Sequence, residues 1–249
     1  MNPVSPISYL SVIIPCYNES DRLELMFAGI DNFIKAWKAK LEVIIVNDGS
    51  KDNFYELAKQ HSVYLANTNI IKIINQENTG KGGALKHGVD QAKGDFMLTL
   101  DADMASPPAE LFTWFKLLNG ALKEDTIYIG SREHRDSVIT KQNNRKIIGS
   151  IFNLIVRTFT PLKAKDTQCG FKLYPAAIAH KLFKELKTYG WAHDVELLYK
   201  ASLNKISIIE MPLVWNAVDG SKINVIGDGI KMMAEVIKII SITRRQNNI

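Results

Sequence analysis

Ser11-Val12-Ile13-Ile14-Pro15-Cys16-Tyr17-Asn18-Glu19 is a short apolar run that stops abruptly at a polar tip. Runs of the same kind recur at Glu42–Asn47, Ile70–Ile74 and Phe96–Leu100. Their Val/Ile richness predicts strands buried on both faces of a parallel sheet. Between the first two runs, Arg22–Trp37 carries Leu23, Met26, Phe27, Ile30, Phe33, Ile34 and Trp37 at three- and four-residue steps, the period of a core-facing helix. A further helix near Ala109–Leu122 precedes a strand at Thr126–Gly130. Alternation of this kind predicts an α/β fold with a doubly wound, mostly parallel sheet.

Beyond Gly130 the alternation loosens, and a long basic segment, Lys141–Lys165, interrupts it. No repeat, low-complexity tract or Gly/Ser linker divides the chain, so residues 1–249 read as one domain. Its halves divide by function only: 1–131 to hold a donor, 132–249 to hold an acceptor.

The 249 residues are 46% hydrophobic and 23% charged, enough material for a sizeable core. Lys+Arg 31 against Asp+Glu 26 gives +5, which suits anionic ligands or an anionic surface but is too weak to imply nucleic acid. Cys16 and Cys169 form no CxxC pair and have no histidine placed beside them by spacing, which argues against a disulfide scaffold, a cysteine-built zinc site and a cysteine nucleophile. No stretch approaches the roughly 20 apolar residues of a membrane-spanning helix, and the N-terminus lacks the basic region of a signal peptide.

In a parallel α/β sheet the ligand crevice lies outside the carboxyl ends of the strands. The residues there are polar: Pro15, Tyr17, Asn18 and Glu19 after the first run, Asn47-Asp48-Gly49-Ser50 after the second, and Asp101-Ala102-Asp103 after the fourth. Asp101 and Asp103 offer two hard oxygen ligands suited to Mg²⁺ or Mn²⁺ facing a diphosphate. The plainer alternative is an Asp turn before a helix starting at Ser106-Pro107-Pro108. Asp48 either makes its Gly-Ser turn or accepts a hydrogen bond from a base or ribose. Asn78-Thr79-Gly80-Lys81-Gly82-Gly83 opens a helix and offers backbone N–H groups and a cation to an anion, without the spacing of a Walker A loop. A solvated lysine in a flexible loop is the alternative.

Taken in order, these motifs resemble the family 2 inverting glycosyltransferases. Ile129-Gly130-Ser131-Arg132, Asp166-Thr167-Gln168-Cys169-Gly170-Phe171-Lys172, Trp191-Ala192-His193-Asp194-Val195-Glu196 and Asp219-Gly220-Ser221-Lys222 narrow the likeness to the polyprenyl-phosphate sugar synthases, above all the dolichyl-phosphate β-glucosyltransferase type. The resemblance implies a GT-A fold, a nucleotide-sugar donor such as UDP-glucose, a Mg²⁺ or Mn²⁺ cofactor, and a polyprenyl or dolichyl phosphate acceptor at the cytoplasmic face of a membrane. Asn47 and Ala105 depart from the family, which often has Asp and Gln at those places.

Carried onto this chain, the resemblance implies that Pro15, Tyr17, Asn18, Glu19, Asp48, Gly49, Lys81, Gly82 and Asp101 hold the donor, and that Asp101 and Asp103 hold the metal. Arg132, Arg145 and Lys222 are the cations expected to bring two anions together, each with a solvated surface position as the alternative. Gln168, Lys172, Trp191, Glu196 and Ser221 fall on the acceptor side. Asp194 is expected to orient a cation or a sugar hydroxyl. For transfer to a hydroxyl instead, Asp194 would be the base.

Two segments are expected to form basic amphipathic helices: Ile147, Ile148, Ile151, Phe152, Leu154, Ile155 and Phe159, bordered by Lys141, Arg145, Lys146, Arg157 and Lys163; and Ile226, Ile230, Met233, Val236, Ile237 and Ile240, with Lys231, Lys238, Arg244 and Arg245 outside the stripe. Such helices can lie in a headgroup layer, each basic residue adding about 1 kcal/mol near an anionic surface. Packing on the sheet, or a homodimer, is the alternative. Other readings are a GDP-mannose-dependent enzyme, a glycan or glycolipid hydroxyl acceptor, and a non-catalytic binding module. A dehydrogenase is disfavoured because no G-x-G-x-x-G follows the first strand.

Overall fold

A computed structural model describes residues 6–140, 156, 160, 162–216 and 234–241. Seven strands form the main sheet: β1 (Tyr9–Cys16), β2 (Lys40–Asp48), β3 (Ile71–Gln76), β4 (Phe96–Thr99), β5 (Thr126–Gly130), β7 (Lys172–Pro175) and β8 (Ser207–Met211), in the order β3-β2-β1-β4-β7-β5-β8. Only β7 runs antiparallel to its neighbours, β4 and β5. Two short strands, β6 (Val138–Ile139) and β9 (Val214–Trp215), pair parallel in a separate ladder. The five strands expected from apolar runs are β1 to β5.

The period-2 alternation of strand side chains divides the core into two layers. Leu10, Val12, Ile14 and Cys16 of β1, with Val43 and Ile45 of β2, pack on one face against Leu23, Met26, Phe27, Ile30 and Phe33 of α1 (Leu23–Ala36) and Leu111, Trp114 and Phe115 of α5 (Glu110–Leu117). Phe54 and Ala58 of α2 (Phe54–Gln60) join this layer, and the short α3 (Ser62–Ala66) follows. Ile13, Ile44 and Val46 face the other way, onto α4 (Lys81–Gln91), α6 (Ala176–Lys184) and α7 (His193–Leu203).

Among residues 234–241, which are helical, Val236, Ile239 and Ile240 are buried in this second layer and Ile237 is exposed. For that part of the C-terminal stripe, packing against the body of the protein replaces the expected surface helix. The remainder of that stripe and nearly all of the 147–159 stripe lie outside the described residues. No helix among the described residues is long and apolar enough to cross a membrane.

Candidate active site

The loops leaving β1, β2 and β3 are sewn together by polar side chains. Asn18 adopts a left-handed φ of 55° and its Oδ1 accepts from Lys51 N at 2.6 Å, while its own N–H donates to Ser50 Oγ at 2.9 Å. Asn47 donates to Asn75 Oδ1 at 2.6 Å. Glu19 pairs with Arg22 at 3.1 Å, Pro15 ends its strand half-buried, and Tyr17 is exposed. Gly49 lies against the backbone of Asn78.

Asp48 is 3% exposed and both of its oxygens are engaged: Oδ1 accepts from Thr79 N at 2.9 Å and Gln76 Nε2 at 2.7 Å, and Oδ2 accepts from Gly80 N at 2.8 Å. These contacts hold the loop before α4, while the Gly-Ser turn itself is closed by Asn47 Oδ1, which accepts from Ser50 N at 3.3 Å. Gly80, at φ 94°, completes the loop before α4; a Cβ there would meet Tyr189 O at 2.6 Å. Gly82 N donates to the same Tyr189 carbonyl at 2.8 Å, which docks the start of α4 onto the 187–192 loop.

Lys81, the first residue of α4, reaches across to Asp101 Oδ1 at 2.6 Å and lies 5.6 Å from the ring centre of Trp191. Burial alone would lower its pKa, but the field of Asp101, Asp194 and Asp103 outweighs it and holds the ammonium above the ordinary lysine range. Trp191 thus stands beside the first residue of α4.

Asp101 and Asp103 line a small cavity of about 30 Å³ with Ala105, Ser106, Arg132, Gln168, Cys169, Gly170, Phe171 and Trp215. A roomier groove of about 740 Å³ opens at the amino ends of β1 to β3, around Tyr9, Lys40 and Ile71, and holds neither carboxylate. Asp103 Oδ1 accepts from Ala105 N at 3.0 Å, and Met104 takes a left-handed φ of 53° to close the turn. Burial, reinforced by repulsion from Asp101, raises the Asp103 pKa. Two hard carboxylates one residue apart are a donor set suited to a divalent cation. No group of three or more His, Cys, Asp or Glu side chains converges among the described residues.

Arg132 is gripped by Asp166 through three hydrogen bonds: Nε to Oδ2 at 2.7 Å, Nη2 to Oδ1 at 2.9 Å, and its backbone N to Oδ2 at 3.0 Å. Burial would raise the Asp166 pKa, but Arg132 outweighs it and holds the carboxylate below its usual range. The guanidinium lies 5.8 Å over Trp215 and its side chain remains 37% exposed, so a fixed cation faces the cavity. Burial pushes the Cys169 thiol up to about 12, which keeps it protonated and unfit as a nucleophile.

Two acceptor-side expectations change. Lys172 is fully buried; its ammonium donates to Asp194 Oδ1 at 2.6 Å and to the Cys169 carbonyl. Glu196, 2% exposed, accepts from Lys187 N at 2.9 Å, Thr188 N at 2.7 Å and Lys200 Nζ at 2.6 Å, pinning the 187–192 loop. Neither side chain faces the cavity, because each buried charge is consumed by a partner. Asp194 is the partner of Lys172. Burial would raise its pKa, but His193, Lys172 and Lys81 hold it below the usual carboxylate range. His193 is buried, with Nδ1 2.8 Å from Gly190 O and Nε2 without a hydrogen-bond partner among the described residues. Gln168 lines the cavity. Arg145, Ser221 and Lys222 lie outside the described residues.

Gly170, Asp166 and Glu235 are parts of the site that sequence reasoning gave no role. Gly170 and Asp166 sit inside a quoted motif, whereas Glu235, which accepts from Ala192 N at 3.3 Å, carries no local signal.

Comparison with known proteins bears on family and fold. Residues 11–185 match the model of glycosyl transferase family 2. Proteins named dolichyl-phosphate beta-glucosyltransferase are 36% identical in Dictyostelium discoideum, covering 96% of this chain and 75% of that protein, and 33% identical in Homo sapiens, covering 88% and 71%. Among solved structures, glucosyl-3-phosphoglycerate synthase from Mycobacterium tuberculosis in complex with Mn²⁺ and UDP-glucose superimposes with a TM-score of 0.69 at 14% identity, covering 94% of this chain and 79% of that one. Mannosyl-3-phosphoglycerate synthase from Rubrobacter xylanophilus gives 0.68 at 15%, covering 96% and 75%. These neighbours are GT-A glycosyltransferases, and the chain shares their fold. With its paired aspartates, its fixed arginine and a family match over most of its length, this chain belongs to glycosyl transferase family 2.

Proposed function

We propose that this chain transfers glucose from UDP-glucose to dolichyl or polyprenyl phosphate, with inversion, as a peripheral protein on the cytoplasmic face of a membrane. The observation that carries the reading is the presence of Asp101, Asp103 and the Asp166-clamped Arg132 around one cavity. The names of the relatives supply the sugar and the lipid.

The reaction joins an acceptor phosphate oxygen to the sugar C1 as the bond from C1 to the diphosphate oxygen breaks. Attack from the opposite face inverts C1. A phosphate is already anionic at neutral pH, so the step needs no strong base to create the nucleophile. What it needs is positive charge between two anions. Arg132, whose geometry is set before any ligand arrives, presents such a charge at the cavity wall. Asp101 and Asp103 would hold Mg²⁺ or Mn²⁺, which when bound supplies charge neutralisation for the leaving diphosphate. Asp194, paired with Lys172 and depressed in pKa, is poorly suited to take a proton, which favours the phosphate acceptor over a hydroxyl. Arg145 and Lys222 remain proposed acceptor cations, and a homodimer remains a proposed assembly.

The test is incubation of the purified protein with a short-chain polyprenyl phosphate, Mg²⁺ or Mn²⁺ and a panel of UDP- and GDP-sugars, with lipid products identified by mass spectrometry. A UDP-glucose-dependent lipid-phosphate hexose, lost in Asp103→Ala, is the expected result. A hexolipid made from GDP-mannose, or transfer only to a glycan hydroxyl, would overturn it.

A further inference from the structure

Lys81 occupies an unusual position. It is the first residue of α4, where the helix already presents the positive end of its dipole and a cation is locally unfavourable. It is nonetheless held there by a rigid turn: Asp48 accepts from Thr79 N and Gly80 N, and Gly82 N donates to Tyr189 O. The side chain, 16% exposed, does not swing into solvent but closes onto Asp101 Oδ1 at 2.6 Å. Asp101 is one of the two carboxylates proposed to hold the divalent ion, and its side chain is 44% exposed, open to exchange of partner. In that same position the ammonium lies 5.6 Å from the ring centre of Trp191, an attractive neighbour that does not depend on Asp101.

We infer that Lys81 is an internal stand-in cation: its ammonium and the divalent metal ion compete for Asp101, so loading the metal releases Lys81 from Asp101 to the Trp191 side of the mouth. The inference rests on the metal-binding reading of Asp101 and Asp103. It makes the site a two-position switch. With Lys81 on Asp101 the carboxylate pair is partly neutralised. With the metal on the pair, the freed ammonium at the amino end of α4 faces outward toward an arriving diphosphate. Lys81 is therefore a positioning residue that couples metal loading to donor capture.

Direct Mn²⁺ binding, read by the electron paramagnetic resonance of free Mn²⁺ at pH 7.5 without donor or acceptor, tests this. In Lys81→Met the competing charge is gone, and Mn²⁺ should bind at least about tenfold more tightly than to the wild type, since a full charge within a few ångströms of a dication acts strongly even at surface-like dielectric. Lys81→Arg, which keeps the charge, should stay within about threefold of wild type, and Lys81→Met combined with Asp101→Asn should lose the gain. Should the wild type bind no Mn²⁺, appearance of binding in Lys81→Met supports the competition. Equal or weaker binding by Lys81→Met, or no binding by either protein, overturns it. Should Lys81→Met fail to fold, Lys81→Gln carries the same comparison. A variant with unchanged Mn²⁺ affinity in a protein that still makes glucolipid would sink the switch alone. A tenfold gain in a protein that makes no glycolipid would sink the transferase reading alone.

Discussion

Gly170 faces the Asp101 carboxylate so closely that a Cβ built on it would lie 2.5 Å from Oδ2 and 2.6 Å from Oδ1. The contact follows from sheet register. Antiparallel pairing of β4 with β7 sets Thr99 opposite Lys172, and two residues further along the same register Asp101 comes opposite Gly170. Thr99 Oγ1 donates to Gly170 O at 2.9 Å and fixes the spacing. Among the described residues β7 alone runs antiparallel in the main sheet, and its pairing brings the 168–171 loop against the aspartate pair to line the cavity.

Gly170→Ala should displace Asp101 rather than unfold the protein, because the carboxylate is the more exposed of the two partners and can turn away. A shift near 1 Å at a reacting centre costs roughly 10²-fold in rate. The expected outcome is kcat/KM down about 10- to 100-fold, with more Mn²⁺ needed for half-maximal rate and an unchanged urea midpoint. A wild-type metal requirement in the variant would remove Gly170 from the site.

The Arg132–Asp166 clamp predicts both stability and its pH dependence. Asp166→Asn keeps the shape but loses the charge, which should destabilise by about 2 kcal/mol, below the roughly 3–5 of a fully buried pair because Arg132 is partly exposed. The folded-state pKa of Asp166 is lowered, as are those of Asp194 and Glu196. Their stabilisation is therefore complete above the unfolded carboxylate range, near pH 4, and is lost as pH falls through the lower folded values. Urea unfolding from pH 7 down to pH 3 should show the wild type losing more stability than Asp166→Asn over that acid limb.

Reading outward from the apolar runs locates β1 to β5, α1, the start of α4 and α5 because their signals are local, each written within a single element. The strand Lys172-Leu173-Tyr174-Pro175 is not visible in this way: it has four residues, opens on a lysine and ends on a proline. Its burial is conferred by β4 and β5 on either side. The burial of Lys172 is hidden as well, since the carboxylate that pairs with it lies 22 residues away. Asp101, Asp103 and Arg132 stand around one cavity because each leaves the end of a strand, and that position is legible from pattern alone. Asp48 illustrates the opposite case: the loop its carboxylate holds is hidden from sequence, because the donors Thr79 N and Gly80 N lie 31 and 32 residues away.

Lys172→Met should be among the most destabilising changes in the second layer, at about 3–5 kcal/mol, because it leaves the Asp194 carboxylate buried without its closest cation. The sign of its pH dependence follows. Without Lys172 the folded pKa of Asp194 rises above the unfolded value, so keeping that group charged costs more as pH climbs past about 4. The gap in urea midpoint between wild type and variant should be wider at pH 8 than at pH 5. A gap independent of pH would mean that His193 and Lys81 neutralise Asp194 unaided.

Glu235 ties the C-terminal helical residues to the mouth of the site. Its Oε2 accepts from Ala192 N at 3.3 Å, and its Oε1 lies where a Cβ on Gly190 would come within 2.6 Å, so the carboxylate fills the space under the loop that carries Tyr189 and Trp191. That loop in turn receives Gly82 N through Tyr189 O and sets Trp191 beside Lys81. Glu235→Ala removes the acceptor and opens a gap, at a cost of about 1 kcal/mol in global stability. The local consequence should be larger: faster amide hydrogen exchange across 189–193 and a donor KM raised several-fold, with kcat within about threefold, since the reacting groups around Asp103 and Arg132 are untouched. Glu235→Gln, which keeps an acceptor oxygen of the same reach, should restore both. Exchange that stays slow at 189–193 in Glu235→Ala would show that Glu196, through Lys187 N and Thr188 N, holds the loop by itself.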